Sequence, residues 1–280
     1  MTFRALALLT VLAASPAAAS AQMPDAPNVD PRHRQYDQML DINVRDGLVY
    51  YRAVQAQRGM LARYIASLDL APAAFSALSR EDQMALLINA YNAIALHSAV
   101  QHYPIQGRAS AYPAKSIRQI AGVYERKHRV AGRSVSLDEL ERWLIDEYKD
   151  ARVIFALGRG ALGGGRLKSE AYTGARLEEQ LADATREFVR RSGHFRIDRA
   201  ANAVVISPLY SWREKDLAAA YAGKADAAFK DRSALERAVL ALTLEHLFPS
   251  EQAWLRETNF RVEFGQFDWR LNDLTGGRVN

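Results

Sequence analysis

Apolar residues recur at helical spacing along the first half of the chain. From Leu61 to Leu68 they lie three or four positions apart, which predicts an amphipathic helix. A second stripe runs from Met84 to Ala95, and Ser79 is a suitable N-cap for that helix, with acidic residues following it. The pattern therefore predicts two successive helices in this part of the molecule.

Further helices are marked by a serine followed three positions later by a glutamate. Ser136 with Glu139 and Ser233 with Glu236 form such capping boxes ahead of apolar residues. An apolar stripe over residues 177–188 predicts another helix between them. Helices are therefore expected along the whole chain.

Shorter apolar or alternating segments predict strands between these helices. They are a hairpin over Arg129–Val135, a short apolar strand over Arg152–Leu157, a hairpin formed by His194–Ile197 and Val204–Ile206, and an alternating strand with one buried face over residues 260–264. No regular βαβ rhythm or internal repeat is present. The fold class expected is α+β, a single mixed domain over residues 35–280 that is mostly helical with short strands and hairpins.

The N-terminal residues have the pattern of a secretory signal peptide. Arg4 precedes a short apolar run, and small residues at Ala19 and Ala21 make an Ala-x-Ala cleavage signal. The run is too short to span a bilayer, so we expect cleavage after Ala21 and a periplasmic or secreted protein. Residues 22–34 are polar and proline-rich and are expected to form a flexible leader that includes His33.

Composition excludes several classes of function. The chain has no cysteine, which rules out disulfides, a thiol nucleophile and thiolate metal ligands. Its net charge of +5 is mild, and it has no dense basic cluster with interleaved aromatics, so no nucleic-acid partner is expected. No later segment is long and apolar enough for a membrane span.

The six histidines have no spacing typical of a metal site, and we expect neither a metal nor a cofactor. His97 lies on a predicted helix and is expected in the core, whereas His33, His128 and His194 are expected at the surface. The isolated tryptophans are expected to be core residues; they are Trp212, Trp254 and Trp269.

A glycine-rich loop, Gly158–Gly165, follows the predicted strand and contains the spacing G-x-G-x-x-G. A dinucleotide site would need a helix to begin at this loop, but the next helix begins near Gly174. Two interpretations stay open. The glycines permit close backbone packing, or the loop lines a site in which its amides and Arg159 or Arg166 hold an anion.

Two asparagines lie three positions apart on an otherwise apolar helix. Asn89 and Asn92 share a face, and asparagine is costly to bury without hydrogen-bond partners. Their amides either tie the backbone of a neighbouring loop or contact a ligand.

These features together resemble the bacterial family known as domain of unknown function 547. The matching stretches are Asp46–Tyr51, Ile88–Ala93, Ser136–Glu141, Arg152–Leu157, Ser169–Thr173 and Phe267–Asn272. They extend over about residues 35–272 in the order and spacing typical of that family.

The resemblance implies a thiol-hydrolase-like ancestry and similarity to papain-like folds. Many members carry a cysteine in the loop that corresponds to Gly158–Gly165, and histidines at the positions of Ile154 and Arg142 here, so this chain lacks all three groups. The retained positions become the candidate site. The catalytic candidates are Glu141 and Asn89, and the ligand-binding candidates are Asn92, Arg159, Arg166, Tyr172, Gly160 and Gly163. Glu141 is either a base or an ion-pair partner, and Tyr172 either core or a ligand contact.

Three functions follow from these observations. The first is a non-catalytic periplasmic relative that binds a small anionic or peptide ligand, or an envelope protein. The alternative is a non-thiol hydrolase or acyl transferase that uses the cleft beside the glycine-rich loop. The third is an envelope scaffold, which would present an exposed apolar patch in place of a pocket.

Overall fold

The structure is a computed structural model that describes residues 30–276; the predicted signal peptide and most of the predicted leader lie outside these residues. The α-helices are α1 Arg34–Asn43, α2 Tyr51–Ala56, α3 Arg58–Ser67, α4 Pro72–Ser76, α5 Arg80–Gln101, α6 Leu137–Tyr148, α7 Val153–Ala156, α8 Leu177–Val189, α9 Leu209–Trp212, α10 Glu214–Tyr221, α11 Ala234–Thr243 and α12 Pro249–Glu257. The strands are β1 Val44–Arg45, β2 Leu48–Val49, β3 His128–Val130, β4 Arg133–Val135, β5 Phe195–Asp198, β6 Ala203–Ile206 and β7 Arg261–Phe264.

Helix α5 is the central element of the first core. Its N-cap is Ser79, whose side chain accepts a hydrogen bond from the backbone N–H of Asp82, as predicted. Apolar residues cover nearly all of its circumference, and α2, α3 and α6 pack around it. A helix that is apolar on every side is stable only when neighbours bury it, and α5 therefore holds the surrounding helices together.

The strands form three small sheets. Antiparallel pairs join β1 to β2 and β3 to β4, and the third sheet has the order β5-β6-β7. In that sheet Ile206 of β6 lies opposite Phe195 in an antiparallel pair and opposite Phe264 in a parallel pair. Both predicted hairpins are confirmed, and the mixed α+β fold class predicted from the sequence is confirmed with them.

A second apolar core lies between α11 and the three-stranded sheet. Helix α7 contributes to both cores, since Val153 packs in the first while Ile154 and Phe155 pack in the second. Along residues 30–276, no helix is both long and apolar enough to cross a bilayer.

The strand predicted over Arg152–Leu157 is wrong, because this segment forms the short helix α7. All four residues of α7 are buried. The run therefore has no pattern of apolar and polar positions, and only such a pattern could distinguish a strand from a helix. The alternation over residues 260–264 correctly predicts β7, but its last apolar side chain, Phe264, is 53% exposed at the strand end.

Two of the histidine predictions are also wrong. His33 is buried at the start of α1, where its Nδ1 lies 2.8 Å from the hydroxyl of Tyr64. His194 is buried with its ring stacked on Phe188 at a centroid distance of 3.8 Å. Turn flanks are usually exposed, but here aromatic neighbours cover both rings.

These two histidines predict a loss of stability in mild acid. Burial lowers the pKa of His33 to about 4 and that of His194 to about 3, from the ordinary value of 6.5. Below pH 6.5 the unfolded chain binds protons that the folded protein does not, so stability falls as the pH drops from 6.5 towards 4. We expect a loss of about 3 kcal/mol for each histidine between pH 7 and pH 4.

Urea unfolding at pH 7, 5 and 4 measures this effect. His194→Phe keeps an aromatic ring against Phe188 and removes one titrating group. The slope of its unfolding free energy against pH should therefore correspond to the uptake of about one proton fewer on unfolding than in the wild type. His102→Gln is the control, because His102 is exposed and its substitution should leave the burial of His33 and His194 unchanged. Equal slopes for all three proteins would contradict the prediction.

Candidate functional site

A cleft of about 410 Å³ opens beside the glycine-rich loop. We call it the Arg–Trp cleft, and its lining residues are Tyr91, Arg118, Tyr124, Asp138, Glu141, Arg142, Arg159, Trp212, Arg213 and Trp269. It brings together the segments from α5, α6, the loop after α7, α9 and residues near the C-terminal end of the described chain.

Helix α6 supplies the acidic side of the cleft. Its predicted capping box is present, with Ser136 and Glu139 bonded to each other's backbone N–H groups. The apolar stripe of α6 faces the core, which leaves Asp138 and Glu141, three positions apart on the polar face, to line the cleft.

Arg159 forms the floor of the cleft. Its side chain is only 3% exposed, and its Nη2 donates to Oε2 of Glu141 at 2.8 Å. Its Nη1 donates to the carbonyl oxygens of Ile154 and Leu157, at 3.0 and 3.1 Å. Burial, the largest single effect, acts to lower the pKa of this guanidinium, but Glu141, Tyr91 and Tyr124 together outweigh it and the pKa is raised. Arg159 is therefore a fixed, buried cation.

The second oxygen of Glu141 is less tightly held. Its Oε1 lies 3.5 Å from Nε of Arg213, a long contact, while the side chain is 13% exposed. Asp138 sits at the rim, where partial burial and then the charges of Glu125 and Glu141 raise the pKa of its carboxyl. The cleft thus holds two carboxylates. That of Glu141 forms an ion pair, and that of Asp138 binds a proton more readily than an ordinary aspartate does.

Aromatic rings and a further arginine form the opposite wall. The guanidinium carbon of Arg118 lies 4.6 Å from the ring centroid of Tyr124 and 4.7 Å from that of Trp269. Its Nε is buried and has no hydrogen-bond partner among residues 30–276. Trp212 is 44% exposed, so the prediction that it is a core residue is wrong, whereas the half-buried Trp254 and Trp269 pack against the two cores.

The charge balance of the cleft is positive. Four arginines and two acidic residues line it, and Glu141 is already engaged by Arg159. Arginine at such a place presents a planar fork of N–H donors that matches a carboxylate or a phosphate. The arrangement suits an anionic ligand that also has an apolar face, which would stack on the ring of Trp212.

The predicted asparagines lie behind the cleft and bind backbone. The side chain of Asn89 donates to the carbonyl of Tyr172 at 2.8 Å and accepts from its N–H at 2.9 Å. The side chain of Asn92 likewise donates to the carbonyl of Ala156 at 3.0 Å and accepts from the N–H of Gly158 at 2.8 Å. The sequence left open whether these amides bind the backbone of neighbouring loops or contact a ligand. These contacts favour the first interpretation.

The glycines of the loop lie where the chain packs closely. Gly160 has a φ of +61°, and a Cβ added there would lie 2.7 Å from Ile117. A Cβ on Gly163 would lie 2.7 Å from the backbone nitrogen of Asp268, and one on Gly165 would lie 2.0 Å from the carbonyl oxygen of Phe155. Close packing therefore accounts for these glycines.

The remaining predicted residues lie outside the cleft. Tyr172 is buried in the first core at 2% exposure. Arg166 pairs with Asp46 and lies 3.9 Å from Glu187. Of the eight predicted site residues, the structure brings Glu141 and Arg159 together in this cleft.

Sequence reasoning missed the other charged and aromatic lining residues. Asp138 had a usable signal, since the capping box places it one turn before Glu141 on the polar face of α6. Arg118 and Trp212 had none, because they come from segments 94 residues apart that only the fold brings together.

A family model described as "Protein of unknown function, DUF547" matches residues 75–189. This range includes α5, α6, the glycine-rich loop and α8. No curated protein and no solved structure matches the chain, so the implied similarity to papain-like folds stays a prediction. Within residues 30–276, no group of three or more histidine, aspartate and glutamate side chains could hold a metal ion.

Proposed function

Because residues 75–189 belong to the DUF547 family of unknown function, we propose a function from the cleft itself: a non-catalytic, exported protein that binds a small anionic ligand. One observation carries this proposal. In the Arg–Trp cleft, Arg118 is half-buried with an unpartnered Nε and lies over the ring of Trp269, which stacks with the exposed Trp212 at a centroid distance of 6.0 Å; the paired Arg159 and Glu141 line the same cleft.

The absence of a carboxylate partner for Arg118 is the main argument for an anion. Among the described residues, its guanidinium forms no ion pair within 4 Å and its close contacts are aromatic faces, while the carboxyl of Asp138 in the same cleft acts on it from farther away. Removing a cation from water without an acidic partner is costly, and an incoming carboxylate would offset that cost through charge-assisted hydrogen bonds. Arg159 cannot serve in the same way, because Glu141 and two carbonyls already occupy it.

Titration calorimetry with D-galacturonate, a carboxylate on a sugar ring, tests the proposal, and D-galactose is the uncharged comparison. We expect galacturonate to bind and galactose to bind at least tenfold more weakly. Arg118→Gln should weaken galacturonate binding by about tenfold or more, since one charge-assisted contact is lost. Trp212→Ala should weaken both sugars, because it removes the exposed ring.

Arg63→Gln is the matched control, since Arg63 is an exposed arginine on α3 and should not affect binding. The proposal fails if galacturonate does not bind, or if Arg118→Gln and Arg63→Gln have the same affinity as the wild type.

A hydrolase that uses Asp138 and Glu141 is the second candidate. Two carboxyl groups three positions apart on α6 that line one cleft favour it, and the pKa of the Asp138 carboxyl is raised, the direction that a general acid requires. Oε2 of Glu141 already accepts from Arg159, which leaves Oε1 to contact a substrate. Release of new reducing ends from oligogalacturonate, lost in Asp138→Asn, would favour the hydrolase over the binding protein.

Export from the cytoplasm is part of the proposal and rests on the sequence pattern from Arg4 to Ala21. Intact mass measurement of the protein expressed in a Gram-negative host, after release of the periplasmic fraction, is expected to show a chain that begins at Gln22. A cytoplasmic protein that retains residues 1–21 would contradict export. Replacement of Ala19 and Ala21 by bulky residues should block the cleavage.

A further inference from the structure

We propose that the ligand is an acidic oligosaccharide that extends from the Arg–Trp cleft into a neighbouring second cleft; this inference rests on the proposed function. The second cleft has a volume of about 490 Å³, and the lining residues that matter here are Arg191, His194, Phe267, Asp268 and Arg270.

The two clefts share a wall of aromatic rings. Trp212 lines the first cleft and Phe267 lines the second, and their rings stack with a centroid distance of 4.8 Å. Trp269, also of the first cleft, lies 4.3 Å from Phe267. Since residues of the segment 267–270 line one cleft or the other, a chain-like ligand that crosses this wall would contact both.

The second cleft repeats the main electrostatic feature of the first. Arg191 is half-buried, and its guanidinium forms no ion pair within 4 Å and no hydrogen bond with any residue of the described chain. Arg270, by contrast, is paired with Asp268. Each cleft therefore contains one half-buried arginine with no ion pair within 4 Å among residues 30–276, Arg118 in the first and Arg191 in the second, where the carboxylates of Glu187 and Asp268 act on Arg191 from farther away.

His194 provides an independent sign of a polar occupant. It lines the second cleft, is 3% exposed, and neither of its ring nitrogens has a hydrogen-bond partner among residues 30–276. An unsatisfied buried polar group costs about 1–3 kcal/mol. Neither nitrogen is accessible from the cleft in the structure, so a ligand hydroxyl would satisfy one of them after a small displacement of the cleft wall.

The alternation of groups along the two clefts indicates the ligand class. Arg118 lies over the ring of Trp269, Trp269 and Trp212 both pack against Phe267, and Phe267 lines the second cleft together with Arg191. A uronic acid oligomer has the complementary order, because each pyranose ring offers an apolar C–H face for stacking and each carboxylate offers two acceptors to a guanidinium.

Calorimetry with galacturonic acid oligomers of one, two, four and six residues tests this extension. We expect the affinity to rise at least tenfold from the monomer to the tetramer as the second cleft is engaged. Arg191→Gln should remove most of that rise and leave the monomer affinity within about twofold of the wild type. Arg118→Gln should weaken every oligomer. Arg190→Gln, at a neighbouring exposed arginine, is the matched control and should behave as the wild type.

The outcomes separate the two proposals. If the monomer binds through Arg118 but affinity does not rise with length, or if Arg191→Gln equals Arg190→Gln, the extension into the second cleft is wrong and the proposed function stands. If no oligomer binds, both are wrong. If poly-aspartate binds as tightly and with the same dependence on Arg191, the carbohydrate class is wrong. Should Arg191→Gln fail to fold, Arg191→Met retains the aliphatic stem and provides the same comparison.

Discussion

Gly165→Ala is expected to destabilise the protein by about 3 kcal/mol or more. A Cβ at this position would lie 2.0 Å from the carbonyl oxygen of Phe155 and 3.0 Å from that of Leu157, and both contacts are to backbone. The N–H of Gly165 donates to the Leu157 carbonyl at 3.0 Å, so the loop cannot move away without losing that hydrogen bond. Because Arg159 is held between the same segments, the displacement should also disturb the floor of the Arg–Trp cleft.

Gly193→Ala is the matched control for this prediction. A Cβ at Gly193 would meet no atom within 4 Å, so its unfolding free energy should stay within about 0.5 kcal/mol of the wild type. Urea unfolding followed by far-ultraviolet circular dichroism measures both variants. If Gly165→Ala were as stable as Gly193→Ala, the close packing attributed to the glycine-rich loop would be incorrect.

Arg159→Met is expected to cost about 3–5 kcal/mol of stability and to reduce ligand binding in the Arg–Trp cleft. Methionine keeps much of the apolar volume but removes the donors to the carbonyls of Ile154 and Leu157. It also leaves Glu141 with only the long contact to Arg213. A buried carbonyl or carboxylate that loses its donor is left with an uncompensated desolvation cost, which is the reason for the large effect.

A double-mutant cycle with Glu141→Gln isolates the ion pair. Glutamine retains a side-chain oxygen for Arg159, so the single variant should cost less than Arg159→Met. The coupling energy between positions 141 and 159 should exceed about 1 kcal/mol if the contact is as direct as its 2.8 Å distance indicates. A coupling energy near zero would mean that Arg159 stabilises the loop through the carbonyls alone.

Local chemistry allowed much of the fold to be predicted. The serine and glutamate spacing correctly placed the starts of α6 and α11, and short segments on either side of a turn placed both hairpins. The same reasoning failed for α7, where residues buried on all sides carry no periodicity. Burial of His33 and His194 was also missed, because the aromatic rings that cover them are distant in sequence or belong to another element.

The candidate site was predicted only where its residues lie on one periodic element or on the glycine-rich loop. Glu141 and Arg159 were selected from the sequence, and the structure joins them. The aromatic wall could not be predicted, since Trp212 and Trp269 approach each other only through the packing of the second core against α9. Asn89 was singled out for the right physical reason, the cost of burying an amide, and its partner is the backbone of Tyr172.

The structure of the protein in complex with the galacturonic acid tetramer tests the central claim most directly. We expect one carboxylate within hydrogen-bonding distance of the Arg118 guanidinium, a sugar ring over the exposed face of Trp212, and Arg159 still paired with Glu141. A tetramer bound elsewhere on the surface, with Arg118 and Trp212 untouched, would contradict the assignment of the Arg–Trp cleft as the ligand site.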